Sequence, residues 1–266
     1  MTEDNIVTAP AYVAGHDLLK GRSVLITAAA GVGIGFAAAR KAIEEGCRAI
    51  MISDIHERRL NEAAGRLRAL GSDAEVHAQI CNVTKEDEVQ TLIEAAEEKL
   101  GGIDVLINNA GLGGFKPVTE MTDEEWALVL DVTLTGTMRM TRAALKKMIQ
   151  RKRGAIVNNA SVLGWRAQKG QSHYAAAKAG VMAFTRCSAV EAAEHGIRIN
   201  AVSPSIAMHE FLKKAAGPGE LEKLAAQEAF GRAAEVWEVA NVMMFLASDY
   251  AGYMVGEIVS VSSQRA

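Results

Sequence analysis

The sequence predicts an α/β protein with a single domain, a doubly wound parallel sheet of about seven strands, and helices on both faces of the sheet. Apolar runs of strand length alternate with amphipathic helical segments along most of the chain, a pattern typical of successive βα units. No segment rich in Pro, Gly and Ser divides the chain, and its 266 residues suit one large domain.

The predicted strands are apolar runs that end in small or polar residues. They are SVLIT (23–27), RAIMISD (48–54), EVHAQICNV (75–83), IDVLINNAG (103–111), GAIVNNAS (154–161), IRINAVSPS (197–205) and GEIVSVSS (256–263). Most of them lack an apolar/polar alternation, so we expect strands that are buried on both faces.

Helical periodicity fills the segments between these runs. The predicted helices are FAAARKAIEEG (36–46), HERRLNEAAGRLRALG (56–71), KEDEVQTLIEAAEEKLG (85–101), one long helix at 123–150, HYAAAKAGVMAFTRCSAVEAAEH (173–195) and VWEVANVMMFLAS (236–248). A looser helical stretch is expected from 209 to 228. Residues 1–20 have no clear period and are interpreted as an N-terminal extension, disordered or packed on a partner, ahead of a domain at 21–266.

Composition excludes several classes of function. The net charge of −3 gives no field that would draw the protein to nucleic acid or to an anionic membrane. No apolar run approaches the roughly 20 residues of a membrane span, and the acidic N-terminus is not a secretory signal. The cysteines at 47, 81 and 187 are scattered, which argues for a reducing, cytoplasmic compartment and against a metal site.

A glycine-rich turn follows the first predicted strand. Gly31, Gly33 and Gly35 lie in TAAAGVGIG (27–35), where small residues let the backbone approach a pyrophosphate and the next helix supplies free N–H groups. The alternative is an ordinary tight βα turn. Asp54 ends the second strand, where a carboxylate accepts hydrogen bonds from ribose hydroxyls and repels a 2′-phosphate, so NAD is favoured over NADP.

Tyr174 and Lys178 are spaced to share one helix face. They stand about one turn apart in SHYAAAKAG (172–180), a stretch of mostly small residues. One interpretation of this pattern is a packed alanine helix whose two polar side chains lie at its rim. A tyrosine whose acidity is set by a lysine is the functional alternative.

Taken in order, the glycine turn, Asp54, NNAG (108–111), Ser161 and the Tyr174/Lys178 pair resemble the short-chain dehydrogenase/reductase family. The resemblance runs from about Arg22 to Ser262 and includes the block FGRAAEVWEVA (230–240). It implies a Rossmann-type fold, a catalytic domain at 21–266 with a substrate lid at about 205–233, and an oxidoreductase that interconverts a secondary alcohol and a ketone with NAD, or less favourably NADP.

The same resemblance implies roles for individual residues. Ser161 binds the substrate oxygen, Tyr174 moves the proton, and Lys178 binds the nicotinamide ribose and lowers the pKa of the phenol. The residues expected to hold the dinucleotide are Thr27, Gly31, Gly33, Ile34, Gly35, Asp54, Asn82, Val83, Asn109, Ala110, Gly111, Tyr174, Lys178, Pro204 and Ile206.

Several positions depart from the family pattern. Ala28 follows Thr27 where the family has glycine, and the run to Gly35 is one residue longer, so the pyrophosphate contacts are expected to be rearranged. Asn82 replaces an aspartate. Thr133 replaces the asparagine that relays protons to the lysine, and the relay is expected to survive in altered form. Ser262 replaces an aspartate in the tail of the last strand.

The substrate is expected to border Trp165, Arg166, Met208 and Phe211. The stretches NASVLGWRAQ (159–168) and SPSIAMHEF (203–211) resemble actinobacterial family members of steroid breakdown, which oxidise a hydroxyl on a fused-ring acid. The alternatives are a 3-oxoacyl thioester reductase and, in another class, a non-catalytic dinucleotide-binding protein. His56, Arg58 and Arg59 keep a 2′-phosphate site open as an alternative. The resemblance also implies a homotetramer.

Overall fold

The computed structural model describes residues 7–208 and 219–263, and there it confirms the doubly wound parallel sheet. The strands of the large sheet are β1 (Ser23–Thr27), β2 (Ala49–Asp54), β3 (Glu75–Ile80), β4 (Val105–Asn108), β5 (Gly154–Asn159), β6 (Ile197–Pro204) and β9 (Ile258–Val261). They lie in the order β3-β2-β1-β4-β5-β6-β9, and each neighbouring pair is parallel. The order reverses between β1 and β4, and ligands of such sheets bind beyond the strand ends at that point.

Helices cover both faces of this sheet. They are α1 (Ile34–Glu44), α2 (Glu57–Arg68), α3 (Glu86–Leu100), α4 (Asp123–Leu130), α5 (Gly136–Arg151), α6 (Ser172–Ala193), α7 (Glu220–Ala225) and α8 (Val236–Ala247). The two-residue strands β7 (Ala207–Met208) and β8 (Ala234–Glu235) pair with each other outside the large sheet. Across the described residues, no helix combines the length and apolarity needed to cross a bilayer.

Two apolar layers hold the sheet between the helices. Val24 and Ile26 of β1 pack in the layer formed with α1, α2 and α8, whereas Leu25 packs in the layer formed with α3, α5 and α6. All of these strand residues are fully buried, as alternation of side chains across a sheet covered on both faces requires. Each such side chain stabilises the fold by about 1.5–3 kcal/mol.

The predicted single helix at 123–150 is wrong in its middle. A π-helical segment, Asp131–Thr135, separates α4 from α5. Thr133 lies within it, and the Thr137 hydroxyl donates to the Thr133 carbonyl oxygen at 2.8 Å. A π segment inserts an extra residue into a helix, which redirects the side chains around it. Here it directs the Thr133 side chain to the loop that follows β4.

A chain of buried polar side chains joins the centre of the sheet to its helices. The Asn108 amide of β4 donates to Thr141 of α5 and to Asn158 of β5, both at 2.9 Å. The Asn158 amide donates in turn to Thr185 of α6 at 2.9 Å. These hydrogen bonds fix the register of four elements at the depth where strands β4 and β5 approach their carboxyl ends.

Residues 7–20, expected to be disordered or packed on a partner, lie instead against helices of the same domain. The Tyr12 ring packs edge-on against Trp237 of α8, with 5.3 Å between ring centroids, and Leu19 is fully buried. The looser helical stretch expected at 209–228 is described only in part, as α7. Phe211 lies outside the described residues.

Removing the Asn158 amide is expected to cost about 2–4 kcal/mol of unfolding free energy, because Asn108 on β4 and Thr185 on α6 each lose one hydrogen bond in the core. The measurement is chemical denaturation of an Asn158→Ala variant. Asn61→Ala, which removes an exposed amide from α2, is the matched control and should change stability by less than about 0.5 kcal/mol. Equal costs for the two variants would contradict the role given to the buried chain.

Candidate active site

Tyr174 and Lys178 share one face of α6, as their spacing predicts. Helix α6 begins at Ser172, so Tyr174 stands in its first turn and Lys178 in the next. The Lys178 ammonium lies 5.6 Å from the centroid of the Tyr174 ring. It donates a hydrogen bond to the backbone carbonyl of Asn159, the last residue of β5. The pair therefore lies at the carboxyl edge of the sheet.

Ser161 lies beside the phenol. It follows the end of β5, is 8% exposed, and its Oγ accepts a hydrogen bond from the Leu163 N–H at 3.2 Å. A hydrogen bond also joins its hydroxyl to that of Tyr174. Since the Leu163 N–H already occupies a lone pair of Oγ, the Ser161 proton is available for the Tyr174 oxygen.

Lys178 is a buried cation. Its side chain is 3% exposed, and burial lowers its pKa from 10.5 to about 8. Gly111, at the end of NNAG, lies against the ammonium. A Cβ added there would lie 3.4 Å from Lys178 Nζ and 3.8 Å from Thr133 Oγ1.

Two opposing effects act on the pKa of Tyr174 in this structure. Burial raises the pKa of the phenol in this structure, and the hydrogen bond with Ser161 opposes that rise. The phenol is therefore held protonated near neutral pH, ready to donate a proton. Acting as a base requires further positive charge beside it.

Thr133 lies at the site and is held by the loop after β4. Its hydroxyl accepts from the Leu112 N–H at 3.0 Å and donates to the Leu112 carbonyl at 3.3 Å, and the residue is fully buried. Both bonds hold the backbone next to Gly111. One lone pair of the hydroxyl remains for a further hydrogen bond.

The glycine turn between β1 and α1 has an unusual backbone. Ala28 has φ of 51°, a left-handed conformation that suits the glycine expected by family resemblance, and Gly31 has φ of 124°. Gly35 packs tightly, because a Cβ there would lie 2.4 Å from the Ala28 carbonyl oxygen. Gly33 caps α1 without a side chain and Ile34 begins the helix, whose first turn holds no acidic residue.

Hydrogen bonds from NNAG (108–111) hold the end of β1, where the glycine turn begins. The Thr27 hydroxyl accepts from the N–H groups of Asn109 and Ala110, both at 3.0 Å. The Asn109 amide donates to the Ala28 carbonyl at 3.0 Å and accepts from the Asn159 amide at 2.9 Å. Thr27 and Asn109 therefore tie the ends of β1, β4 and β5 together.

Asp54 ends β2 and faces the glycine turn. Its carboxylate accepts from the Ala30 N–H at 3.3 Å and from the His56 N–H at 3.0 Å. Burial raises its pKa, and the backbone hydrogen bond from Ala30 and the charge of Arg59 oppose that rise. The carboxylate thus lies at the edge of the turn, as predicted.

Four other predicted cofactor residues lie at the carboxyl ends of β3 and β6 or just beyond them. Asn82 Oδ1 closes a local turn by accepting from Thr84, and Val83 is buried against α5. Pro204 ends β6. The Ile206 carbonyl accepts from the Ala234 N–H at 2.8 Å and so joins the strand pair β7–β8.

These features fit a nicotinamide dinucleotide. The uncapped N-terminus of α1 offers N–H groups to a pyrophosphate, Asp54 offers a carboxylate to a ribose, and Gly111 lies against the Lys178 ammonium without a side chain of its own. Within residues 7–208 and 219–263, no three His, Cys, Asp or Glu side chains are grouped so that they could hold a metal ion.

Comparison with known proteins agrees with this geometry. A family model described as enoyl-(acyl carrier protein) reductase matches residues 28–263. A Mycobacterium tuberculosis protein named (5R,7aS)-5-hydroxy-7a-methyl-1-oxo-2,3,5,6,7,7a-hexahydro-1H-indene-carboxyl-CoA reductase is 60% identical over 262 residues, which cover 98% of this chain and 99% of that protein. The chain belongs to the short-chain dehydrogenase/reductase family.

Solved structures of short-chain dehydrogenases have the same fold. A short chain dehydrogenase from Mycobacterium smegmatis matches with a TM-score of 0.87 at 58% identity, covering 97% of this chain and 99% of its own. An NAD⁺-bound xylitol dehydrogenase matches with a TM-score of 0.86 at 28% identity, covering 92% of this chain and 99% of its own. This short-chain dehydrogenase/reductase is accordingly an oxidoreductase whose family uses NAD or NADP.

A wall of the site in this short-chain dehydrogenase/reductase was missed from the sequence. The loop after NNAG passes over the catalytic helix, where a Cβ on Gly113 would lie 3.6 Å from the Tyr174 ring and one on Gly114 would lie 3.3 Å from His173 Nε2. Phe115 covers Gly170, and the Lys116 N–H donates to the Gly170 carbonyl at 2.8 Å. The signal was the glycine pair in GLGGF (111–115), which permits this close approach.

A second contact at the cofactor end was also missed. The Arg66 guanidinium of α2 stacks over the Phe36 ring at 4.0 Å and donates to the Gly31 carbonyl at 3.1 Å. This hydrogen bond from Arg66 holds the lengthened glycine turn against α2. The sequence places Arg66 on the exposed side of an amphipathic helix and gives no sign of this contact.

Three of the four residues expected at the substrate are among the described residues. Trp165 is 46% exposed just after Ser161, and Arg166 is partly buried next to it. Met208 is partly exposed on β7. The remaining member of the set, Phe211, is not among the described residues.

The burial of Lys178 predicts a pH dependence of stability. In the folded protein it loses its proton near pH 8, whereas in the unfolded chain it loses it near 10.5, so the unfolded chain binds more protons between these values. Stability relative to Lys178→Met should therefore rise with pH across this window, by up to about 3 kcal/mol.

The measurement is denaturant unfolding of both proteins at several pH values between those two limits. Lys146→Met removes an exposed positive charge from α5 and controls for net charge. A constant difference between wild type and Lys178→Met would show that the ammonium is not held in a low-dielectric site.

Proposed function

We propose that this protein uses Tyr174 as the acid–base group in an NAD-dependent interconversion of a hydroxyl and a ketone on a fused-ring acid carried as its CoA thioester. The observation that carries the proposal is the arrangement of Ser161, Tyr174 and Lys178 within one crevice edge. The phenol is bonded to a serine hydroxyl and stands one helical turn from a buried ammonium.

The Ser161 hydroxyl positions the reacting oxygen. It already points its proton to the Tyr174 oxygen, so a substrate oxygen that enters between them meets two O–H donors. In the reductive direction the phenol donates its proton to the carbonyl oxygen. In the oxidative direction it accepts the proton of the alcohol, a task for which general-base catalysis typically supplies about 10²–10⁴-fold.

Lys178 provides part of the positive charge that this base needs. Its ammonium is fixed by the Asn159 carbonyl, so it is oriented before any ligand arrives. The cation favours the phenolate by Coulomb attraction, and its low solvent exposure strengthens that attraction. We further propose that it bonds the ribose next to the nicotinamide.

The dinucleotide, when bound, supplies or accepts the hydride. The residues that would hold it are the uncapped start of α1 at Gly33 and Ile34 for the pyrophosphate, Asp54 for the adenosine ribose, and Ile206 for the carboxamide. Of the Ile206 backbone groups, the carbonyl already bonds Ala234, so the N–H is the group assigned to the carboxamide.

NAD is the proposed cofactor because Asp54 stands where a 2′-phosphate would be. Two charges about 4 Å apart repel by roughly 4 kcal/mol at an effective dielectric of 20. Arg58, the nearest alternative on the sequence, is exposed and forms an ion pair with Glu62 at 2.8 Å. Arg59 lowers the pKa of Asp54 and therefore helps to keep that carboxylate ionised.

The exposed apolar side chains on the loops beside Tyr174 suit a fused-ring substrate. Leu112, Phe115 and Trp165 are large apolar side chains that remain exposed on the two loops flanking Tyr174. Exposed apolar groups of this size beside a catalytic group favour a bulky apolar ligand. The Mycobacterium tuberculosis relative is named for a hydroxylated hexahydroindene carboxyl-CoA, a ring acid of this type.

A 3-oxoacyl thioester reductase is the second candidate, favoured by a Thermotoga maritima relative that is named 3-oxoacyl-[acyl-carrier-protein] reductase and is 36% identical over 246 residues. A non-catalytic dinucleotide-binding protein is the third, suggested by Ala28 and Thr133 at positions where the family has other residues. The Ser161, Tyr174 and Lys178 contacts support a catalyst, since a binding protein has no need of them.

We also propose a cytoplasmic homotetramer. Trp126 and Leu128 of α4 and Val190 of α6 are exposed apolar side chains on helices that the family resemblance places in an interface. Cys47 and Cys81 are buried as free thiols, which suits a reducing compartment. Sedimentation equilibrium that returns a monomer would reject the tetramer, and recovery of the protein outside the cytoplasm on cell fractionation would reject the compartment.

Turnover tests the proposed chemistry. Wild type with NAD⁺ should oxidise a fused-ring hydroxy acid CoA thioester, and Tyr174→Phe should lower kcat/KM by about 10²–10⁴-fold because it removes the only phenol at the site. Tyr253→Phe, at a fully exposed tyrosine, is the matched control.

Unchanged turnover in Tyr174→Phe would rule out the proton-transfer role. Faster reduction of a 3-oxoacyl thioester with NADPH by wild type would instead favour the second candidate.

Asp54 should set the choice of dinucleotide. Wild type should bind NADH about 10²-fold more tightly than NADPH, and Asp54→Asn should reduce that ratio because it removes the repelling charge. Titration calorimetry measures both constants. Glu94→Gln makes the same change in net charge at an exposed position of α3 and should leave the ratio unchanged. Tighter binding of NADPH by wild type would mean that Arg58 or Arg59 overrides Asp54.

Thr133 is expected to take part in an altered proton relay toward Lys178. Thr133→Val removes the hydroxyl and should lower kcat by about tenfold and shift the pH profile, whereas Thr133→Ser keeps the hydroxyl and should retain both. The measurement is kcat against pH for the three proteins. If Thr133→Val keeps the wild-type profile, the hydroxyl only holds Leu112 and no relay passes through it.

A further inference from the structure

The N-terminal segment reaches from α1 to the strand pair β7–β8, which borders the predicted nicotinamide end of the crevice. Residues 7–16 are here called the N-terminal arm. The arm lies outside the sheet, and the catalytic proposal gives it no task. At one end the arm is bonded by buried charged side chains, and at the other end it is bonded by an arginine that also forms an ion pair.

One end of the arm is anchored on the last turn of α1. Glu45, 2% exposed, accepts from the His16 N–H at 2.7 Å, and the ammonium of Lys41, 1% exposed, donates to the Val13 carbonyl. The Tyr12 hydroxyl donates to Glu44 at 2.5 Å. The buried side chains of Lys41 and Glu45 thus form hydrogen bonds with the backbone of the arm, and burying these charges without such partners would be costly.

Gly15 lets the arm lie directly on α1. A Cβ added at Gly15 would stand 1.9 Å from the Glu44 carbonyl oxygen, a distance that no side chain can occupy. The neighbouring atom is backbone of a helix, which cannot give way easily. Any side chain at this position must therefore lift the arm.

The other end of the arm bonds the segment before β8 through backbone groups. The Val7 N–H donates to the Phe230 carbonyl at 3.0 Å, and the Val7 carbonyl accepts from Arg232 Nε at 2.9 Å. The Val7 side chain is 49% exposed, so this contact depends on the peptide groups and not on the side chain.

Arg232 connects the arm to the residue that precedes β8. Its guanidinium forms a two-point ion pair with Glu238 of α8 at 2.7 and 2.9 Å and also donates to the Ala233 carbonyl at 3.0 Å. The next residue, Ala234, donates its N–H to the Ile206 carbonyl, and Ala207 is in register with Ala234. A contiguous series of hydrogen bonds therefore runs from the arm to Ile206.

We infer that the N-terminal arm positions the β7–β8 pair, and with it the backbone at Ile206 and the side chain of Met208, for dinucleotide and substrate. The arm acts through Arg232, whose planar guanidinium satisfies Val7, Ala233 and Glu238 together. This inference rests on the proposed function in one respect, the assignment of Ile206 to the nicotinamide end.

Val7→Pro and Val7→Ala form the decisive pair. Proline removes the N–H that bonds Phe230, whereas alanine keeps the N–H and removes only the exposed side chain. Val7→Pro should raise the Kd for NADH and the KM for substrate about fivefold and leave kcat at saturation within about twofold of wild type. Val7→Ala should match wild type in all three.

Gly15→Ala provides an independent route to the same displacement. It should raise the Kd for NADH in the same way, and it decides the question if Val7→Pro does not fold. Gly65→Ala places a methyl group in open space on α2 and should leave binding unchanged. Circular dichroism and thermal melting establish that each variant is folded.

Two results would overturn the inference. In one, Val7→Pro and Gly15→Ala bind NADH as wild type does. In the other, they lose thermal stability or kcat while the Kd for NADH stays constant, which is the signature of a purely structural arm. A wild type that neither binds nor turns over a dinucleotide would reject the proposed function instead, so the two failures are distinguishable.

Discussion

The site depends on holding the ammonium of Lys178 out of water beside the phenol of Tyr174. A cation in a low-dielectric environment is costly unless it donates hydrogen bonds to fixed acceptors. The backbone carbonyl of Asn159, the last residue of β5, is such an acceptor. Helix α6 must then pass close enough for a lysine to reach it.

Close passage of the backbone around Lys178 requires small residues on α6 and on the loop after β4. Alanines fill α6 between Tyr174 and Lys178, and on the loop Gly111 lies against the ammonium and Gly113 against the Tyr174 ring. The strand ends that frame this crevice are tied to one another by Thr27 and Asn109, so the geometry is fixed before any ligand binds. Such preorganisation is what allows a few charges to act strongly on a reacting group.

Local pattern was sufficient to predict the sheet, its strands and the catalytic face, because each depends on a short period or a fixed spacing. Residues 174 and 178 share a face through helix geometry alone, and Asp54 faces the glycine turn because parallel strands end at one edge. The order of the motifs added the roles that spacing could not give.

Contacts between distant segments could not be predicted in this way. The Thr133 hydroxyl of the π segment bonds Leu112 on a distant loop, the arm packs on α1 because Gly15 has no side chain, and Arg66 of α2 reaches Gly31. The rise in the Tyr174 pKa that burial causes could not be predicted for the same reason. Its burial is a property of the assembled crevice, whereas the helix alone contains only the lysine that would lower it.

The most direct test of this account is the pKa of Tyr174 with and without NAD⁺. The phenolate absorbance of wild type minus that of Tyr174→Phe, followed against pH, isolates this one tyrosine. The account predicts a pKa above the ordinary value of about 10 in the free protein and a fall of about one unit or more when NAD⁺ is bound, because Lys178 and the nicotinamide charge then act together on the phenol. The same pKa in both states would contradict the assignment of Tyr174 as the base.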